Sequence, residues 1–141
     1  MQIAPFSARL LLATLAVIAL AHPPAANAGP ASPDSAVDVS SQVKASHTGF
    51  TINRATHLWT ATMTIQNTGT TAIAGPIQVL LTNLSAGVSM SNSTGTHNGS
   101  PYITASADGL APGASVSVPI QFTNPSGVSI AFTPVTASGT Y

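Results

Sequence analysis

The sequence predicts an all-β protein: an antiparallel sandwich of two sheets with seven to eight strands. Three observations support this prediction. Beyond residue 36, threonine, serine and valine dominate, and no apolar pattern with the 3.6-residue period of a helix occurs. Gly or Pro interrupts the chain about every 8–12 residues, a spacing typical of short strands joined by turns. Residues 58–66 and 115–123 alternate strictly between apolar and polar side chains.

The first 28 residues carry the pattern of a secretory signal peptide. Arg9 supplies a positive charge before an apolar run at 10–21, and a small-x-small cleavage site follows at Ala26-Asn27-Ala28. The run is too short to cross a bilayer as a helix, which needs about 20 residues. We therefore expect a protein that is secreted to the extracellular space or cell surface, with the periplasm as an alternative. We expect no membrane span in its mature chain.

The expected mature chain divides into a leader and one domain. Residues 29–36 are rich in Pro, Ser and Ala without periodicity, which predicts a flexible leader. Residues 37–141 form the predicted β-sandwich, and about 100 residues is the usual size of such a domain. Since the chain has no cysteine, packing alone must hold it together. This fits a bacterial exported module better than a small eukaryotic secreted domain.

Four strands are predicted in the first half of the domain. Residues 37–46 begin with clear alternation, and 50–53 form a short extended piece. Residues 58–66 place one apolar and one Thr-rich face back to back, and the turn residues at 67–69 end this strand. Residues 75–81 are predicted as the next strand, with turn residues at 74–76.

Four more strands are predicted in the second half. A short strand at 88–90 precedes a polar loop at 91–100, and a weak strand covers 102–105. Residues 115–123 follow a Pro-Gly turn and alternate strictly. The last strand is expected at 128–135, where every second side chain is apolar at its start.

The alternating strands define a candidate core, because two stacked sheets bury the apolar face of each. The predicted core residues are Trp59, Met63, Ile65, Leu110, Val116, Val118, Ile120, Phe122, Ile130 and Phe132. Pro119 lies inside a predicted strand on its polar face. Proline cannot donate a hydrogen bond to a ladder, so we expect an edge strand or a bulge there.

Charge is nearly absent and balanced, with three Lys or Arg residues against three Asp residues and no Glu. Nucleic-acid binding needs a cluster of cations, so this class of partner is not expected. A polybasic membrane-binding surface is excluded on the same ground. A neutral surface rich in Thr, Ser and Asn suits extracellular assemblies, and net charge near zero also favours self-association.

Two motifs together resemble a known group of modules. Residues 59–69, WTATMTIQNTG, are an alternating strand that ends in N-x-G, and residues 110–115, LAPGAS, precede another alternating strand. The pair resembles the bacterial immunoglobulin-like and fibronectin-III-like modules of exported proteins, including the cell-adhesion-related CARDB group. The resemblance implies an immunoglobulin-like sandwich that serves as a spacer, adhesion element or accessory domain. It brings no catalytic residues.

The residues expected of an enzyme are scarce. Glycosidases normally use two carboxylates across the bond they cleave, but the folded region offers only Asp108, with Asp38 at its margin. No G-x-S-x-G elbow, P-loop or dinucleotide fingerprint occurs. We therefore expect no enzymatic activity and no cofactor.

Histidines raise the question of a metal site. His47, His57 and His97 are remote candidates, but no H-x-H or H-E-x-x-H motif occurs, and a blue-copper site would need a cysteine. A second small-x-small site at 19–21 would make His22 the first residue of the mature chain. An N-terminal histidine of this kind would resemble the copper ligand of β-sandwich copper proteins. We keep this copper-binding hypothesis as a remote alternative.

Aromatic side chains raise the question of sugar binding. Trp59 is the obvious stacking candidate, but it shares its strand face with apolar residues, which favours a core position. Tyr102 begins a weak strand and is a second, weak candidate. Tyr141 is the last residue and is expected to be mobile.

The leading hypothesis is an exported, non-catalytic sandwich that acts through protein or cell-surface contacts of the adhesion type. One alternative is a self-assembling fibre or surface-layer subunit. In that case residues 37–46, or the leader before them, would add a strand to a neighbouring copy. Another alternative is a carbohydrate-binding module that uses an exposed Trp59.

Overall fold

The computed structural model describes residues 35–141, which form two antiparallel sheets packed as a sandwich. This confirms the prediction of an all-β fold. The predicted signal peptide and all of the predicted leader except Ser35 and Ala36 lie outside the described residues. Within residues 35–141, no helix is long and apolar enough to cross a membrane.

Ten strands form the two sheets instead of the seven to eight predicted, because the predicted strand 37–46 is divided in two and the predicted loop 91–100 contains a further strand. They are β1 (Val37–Asp38), β2 (Val43–His47), β3 (Thr51–Asn53), β4 (Leu58–Asn67), β5 (Ile77–Thr82), β6 (Ser89–Met90), β7 (Gly95–His97), β8 (Ser100–Ser106), β9 (Ser115–Thr123) and β10 (Thr133–Ser138). The first sheet has the order β1-β10-β5-β8-β7. The second has the order β2-β4-β9-β6, with β3 also paired to β4.

The predicted first strand, 37–46, is divided between the two sheets. The backbone N–H of Ser40 donates to Asp38 Oδ1 at 2.8 Å, which turns the chain into a short 3₁₀ helix at Ser40–Gln42. The same interaction with the side chain and backbone of Ser40 lowers the pKa of Asp38. Thr136 N donates to Ser40 Oγ at 3.0 Å and anchors the crossing to β10. Alternation alone did not reveal this local turn.

The predicted polar loop at 91–100 contains the edge strand β7. It forms a hairpin with β8 around Asn98 and Gly99, which have positive φ angles of 49° and 80°. Two central residues with positive φ match the right-handed twist of a tight hairpin, and Asn-Gly is its strongest sequence signal. The polar character of the surrounding residues concealed this signal.

The last strand begins at Thr133. The prediction that residues 128–132 also belong to this strand was therefore wrong. Asn124 holds this segment in a loop, because its Nδ2 donates to the carbonyl oxygen of Val128 at 2.6 Å. Its Oδ1 also accepts from the Val128 backbone N–H at 3.1 Å. Val128 is consequently 40% exposed.

The predicted core residues fall into two groups. Those buried in the interior are Met63, Ile65, Leu110, Ile120 and Phe122. Those half-buried and packed against the interior are Trp59, Val116, Val118, Ile130 and Phe132. The second group lies at the ends of the sandwich or along the part of β9 that β6 does not cover. The core also includes the apolar residues of β5, in which the first five positions are buried and, of these, only Gln78 is polar.

Asn67 connects the two sequence motifs at residues 59–69 and 110–115. Its backbone N–H donates to the carbonyl oxygen of Ala114, and its carbonyl oxygen accepts from Gly113 N–H, both at 2.9 Å. Its side-chain Nδ2 donates to the carbonyl oxygens of Thr71 at 2.8 Å and Leu110 at 3.1 Å. Asn67 is fully buried. The N-x-G strand end and the LAPGAS turn are therefore two halves of one hydrogen-bonded unit.

Candidate binding surface

One end of the sandwich presents a surface centred on Trp59. Two shallow grooves, of about 570 and 490 Å³, meet at this side chain and at Gly127. One wall is the β3–β4 hairpin, and the other is the segment 124–132 between β9 and β10. We call this region the Trp59 surface, defined by its apolar and aromatic lining residues Phe50, Ile52, His57, Trp59, Pro125, Val128 and Ile130.

The position of Trp59 follows from its strand. It begins the inward face of β4, which continues through buried residues toward Ile65, and its pairing partners are Phe122 and Ile52. At this end the grooves are lined by the segment that precedes β10, which begins only at Thr133. Trp59 is therefore half-buried: one part packs against the core and the other lines the grooves.

Exposed apolar side chains concentrate here. Among residues 35–141, three large hydrophobic side chains are exposed, and two of them, Ile52 at 44% and Val128 at 40%, belong to the Trp59 surface. The third, Val37, lies in β1. Single exposed apolar residues are ordinary on protein surfaces, but a group around a tryptophan is typical of a contact site.

Three polar side chains of this surface are paired within it. Ser89 and Thr123 share a hydrogen bond between their hydroxyls, and the amide of Asn124 is occupied by Val128. None of the residues that line the two grooves is Asp, Glu, Lys or Arg. The surface therefore offers apolar area whose lining contains no Asp, Glu, Lys or Arg. This suits an apolar partner segment better than a sugar with many hydroxyls.

Both walls of the surface are held by side-chain hydrogen bonds to the backbone. Asn53 Oδ1 accepts from the N–H groups of Ala55 at 3.0 Å and Thr56 at 3.3 Å, which shapes the hairpin turn. The Asn124 amide shapes the opposite wall through Val128. Such ordering before binding lowers the entropy cost of association. Sequence reasoning did not assign Ile52 or Val128 to a binding surface, because the alternation from residue 128 predicted a strand there.

Tyr102, the second aromatic candidate, lies elsewhere. Its ring contacts Tyr141 at a centroid distance of 5.3 Å, and Tyr141 contacts His97 at 4.7 Å. The Tyr141 backbone N–H donates to Gln78 Oε1 at 2.9 Å. Burial raises the pKa of Tyr141, with a smaller contribution from the negative charge of Asp38. The last residue is therefore bound to the outer face of the first sheet, and the expectation that it is mobile was wrong.

The three described histidines are not brought together. His47 packs against Phe50 and Phe132, with ring centroids 5.2 Å away in both cases, and His57 lies in the β3–β4 turn with a φ of 57°. His97 belongs to β7 in the other sheet. Among residues 35–141, no group of three His, Cys, Asp or Glu residues could hold a metal ion. His22, the remote copper candidate, lies outside the described residues.

The Trp59 surface is thus a largely apolar pair of grooves whose two walls are held by hydrogen bonds and whose lining contains no Asp, Glu, Lys or Arg. Comparisons with family models, curated proteins and solved structures find no match for this chain.

Proposed function

We propose that the protein is an exported, non-catalytic β-sandwich module that binds a protein on a cell surface or in the extracellular space through its Trp59 surface. The observation that carries this proposal is the grouping of exposed Ile52 and Val128 around the single tryptophan of the chain. Export is supported by the signal-peptide pattern of residues 1–28.

The lining of the surface defines the chemistry of the partner. Tryptophan is enriched among residues that dominate binding energy, particularly where surrounding residues exclude water. The lining contains no Asp, Glu, Lys or Arg, which favours an uncharged, apolar partner segment, because burying an unpaired charge against it would be costly. Long-range electrostatic steering would contribute little, since the chain has a formal net charge of zero.

The resemblance to bacterial immunoglobulin-like and CARDB-type modules is consistent with this role. Those modules usually act through contacts, as adhesion elements or accessory domains, and carry no general catalytic residues. In this chain the loop end of the sandwich is the proposed contact region, while the paired sheets provide a rigid support. Binding residues on loops that a rigid scaffold positions are common in sandwich proteins.

Site-specific photo-crosslinking in the producing cells tests the proposal. A photoreactive residue is placed at position 52 or 128, and a matched control is placed at Ala107, which is exposed at the opposite end of the sandwich. We expect one defined protein adduct from positions 52 and 128 and none from position 107. The adduct at position 52 should disappear when Val128 is replaced by Ser.

The alternatives give different products. An adduct of twice the chain mass would indicate a self-assembling subunit. Saturable changes in Trp59 fluorescence on titration with a soluble neutral polysaccharide would instead indicate a carbohydrate-binding module. Equal crosslinking from positions 52 and 107, or none from 52 and 128, would contradict the proposed contact region.

A further inference from the structure

The outer edge of β9 is the longest strand edge that lacks a full neighbour among residues 35–141. This strand has nine residues, but β6 pairs only with its last two, through Ser89–Thr123 and Met90–Phe122. Such an edge normally offers backbone donors and acceptors to another chain. The backbone donors and acceptors of β9 that β6 does not pair with therefore determine whether a second copy can add a strand.

A side chain continues the ladder where β6 ends. Ser91 N–H donates to the carbonyl oxygen of Gln121 at 2.8 Å. Asn92 Oδ1 then accepts from Gln121 N–H, and Asn92 Nδ2 donates to the carbonyl oxygen of Pro119, both at 2.8 Å. The amide of Asn92 thus occupies the positions that the backbone of another strand would take.

Proline removes the next donor. Backbone groups of alternate residues in a strand point to the same side, so Pro119 directs its groups outward as Gln121 does. Pro119 has no N–H, and Asn92 already occupies its carbonyl oxygen. Further along this edge, only Ser117 and Ser115 keep outward groups, which is too short a ladder for stable pairing.

We propose that Pro119 and Asn92 together close the β9 edge against strand addition by a second copy of this chain. The need for such a closure follows from composition. The chain has no net charge and is rich in Thr and Val, so repulsion between copies does not oppose edge pairing. Since charge repulsion does not protect this edge, we attribute its protection to Pro119 and Asn92.

The other edges are protected in simpler ways. The edge strands of the first sheet have only two residues in β1 and three in β7. The opposite edge of the second sheet carries the exposed Lys44 in β2. Short strands and lysines are the usual means of discouraging edge pairing. β9 is neither short nor provided with a lysine, since it has nine residues and none of them is charged. A proline and the side-chain amide of Asn92 lie at its edge instead.

The test opens this edge without disturbing the core. The Pro119→Thr substitution restores an outward N–H at an exposed position opposite Thr62, where a Thr–Thr pair suits a strand. The Asn92→Ala substitution removes the amide that caps Gln121 and Pro119. The matched control is Pro112→Thr, which makes the same chemical change in an exposed turn.

Hydrogen exchange over a concentration series reads out pairing at the edge itself. In the P119T/N92A double variant we expect light scattering to show growing assemblies. Exchange of the Ser115 and Ser117 amides should slow with concentration by roughly two- to tenfold, the effect of one net backbone hydrogen bond. In the wild type and in P112T, these two amides should exchange at the same rate at every concentration.

Three results would overturn the proposal. The first is a folded double variant whose mass and exchange do not depend on concentration. The second is assembly of the double variant without slower exchange at residues 115–117. The third is concentration-dependent slowing at these residues in the wild type. Circular dichroism identifies the folded species, and the single N92A and P119T variants are used if the double variant unfolds. Assembly of the wild type through the Trp59 surface would leave the exchange rates of these amides unchanged. The experiment therefore distinguishes failure of this proposal from failure of the proposed function.

Discussion

Asn67 and Leu110 are joined by a hydrogen bond of 3.1 Å from Asn67 Nδ2 to the Leu110 carbonyl oxygen, and both residues are buried. Leu110 also pairs with Ile73 through two backbone hydrogen bonds of 2.9 Å. A buried amide of this kind must be fully paired, because an unpaired buried polar group is costly. This hydrogen bond holds the turn that precedes β9 against the end of β4.

Removing the Asn67 amide should destabilise the fold strongly. The Asn67→Ala substitution leaves the buried carbonyl oxygen of Leu110 without this donor and removes the acceptor of Gly69 N–H. We expect a loss of about 2–4 kcal/mol in the free energy of unfolding, measured by chemical denaturation. Asn53→Ala is the matched control at an exposed turn, where water replaces the lost bonds, and should cost about 1 kcal/mol or less. Equal losses in the two variants would contradict this role of Asn67.

Gly109 lies so close to the neighbouring backbone that an alanine side chain would force the backbone to shift. A Cβ at position 109 would overlap the carbonyl oxygen of Ile73, which itself accepts from Leu110 N–H. We expect the Gly109→Ala variant to lose about 1–3 kcal/mol of stability through overpacking. The Gly49→Ala control has open space around the added methyl group and should change stability by less than about 0.5 kcal/mol. Thermal denaturation of both variants measures the difference.

Trp59 should contribute less to stability than its size suggests. Phe122 is fully buried beside it, whereas Trp59 is only half-buried. We expect Phe122→Ala to cost about 3–5 kcal/mol and Trp59→Ala about half of that, since less apolar area leaves water on folding. Denaturant titrations of the two variants give the comparison. A cost for Trp59→Ala that equals the cost for Phe122→Ala would make Trp59 a core residue and remove it as a contact residue.

Folding stability should fall at alkaline pH because of Tyr141. Burial raises its pKa above the ordinary value of 10.0, so the unfolded chain releases this proton at a lower pH than the folded chain. The contribution of Tyr141 to folding stability is fully present below pH 10.0. It is lost as pH rises through the raised pKa of Tyr141 in the folded state. Melting temperatures of the wild type and of Tyr141→Phe, followed across this range, isolate the effect. The variant should show a smaller decline, and identical declines would show that Tyr141 is solvated in the folded state.

Side-chain alternation was sufficient to predict the principal strands of the second sheet. The predicted bounds of 115–123 match those of β9, and β4 extends one residue beyond the predicted 58–66. These strands have one buried and one solvated face, so the period of two is visible in the residues themselves. Pro119 also indicated the free edge along β9, because proline cannot serve as a donor in a ladder.

Local turn chemistry explains why two observed strands differ from the predicted ones. The Asp38 turn divides the first predicted strand, and the Asn124 clamp delays the last one, although the apolar pattern continues through both regions. In each case a short polar side chain bonds to nearby backbone and competes with the ladder. A pattern of apolar residues does not report this competition.

The sequence by itself determined the all-β class, the two-sheet arrangement and the main inward-facing positions, because these depend on periodicity and turn residues near in the chain. Only the tertiary structure decided that Trp59 sits at an open end beside Ile52 and Val128, that Tyr141 docks beside Tyr102, and that Asn92 reaches Pro119. The partners in these contacts are 7 to 69 residues apart in the chain, as Ile52–Trp59 and Trp59–Val128 illustrate. Contacts of this kind depend on how the sheets pair and stack, which local patterns do not encode.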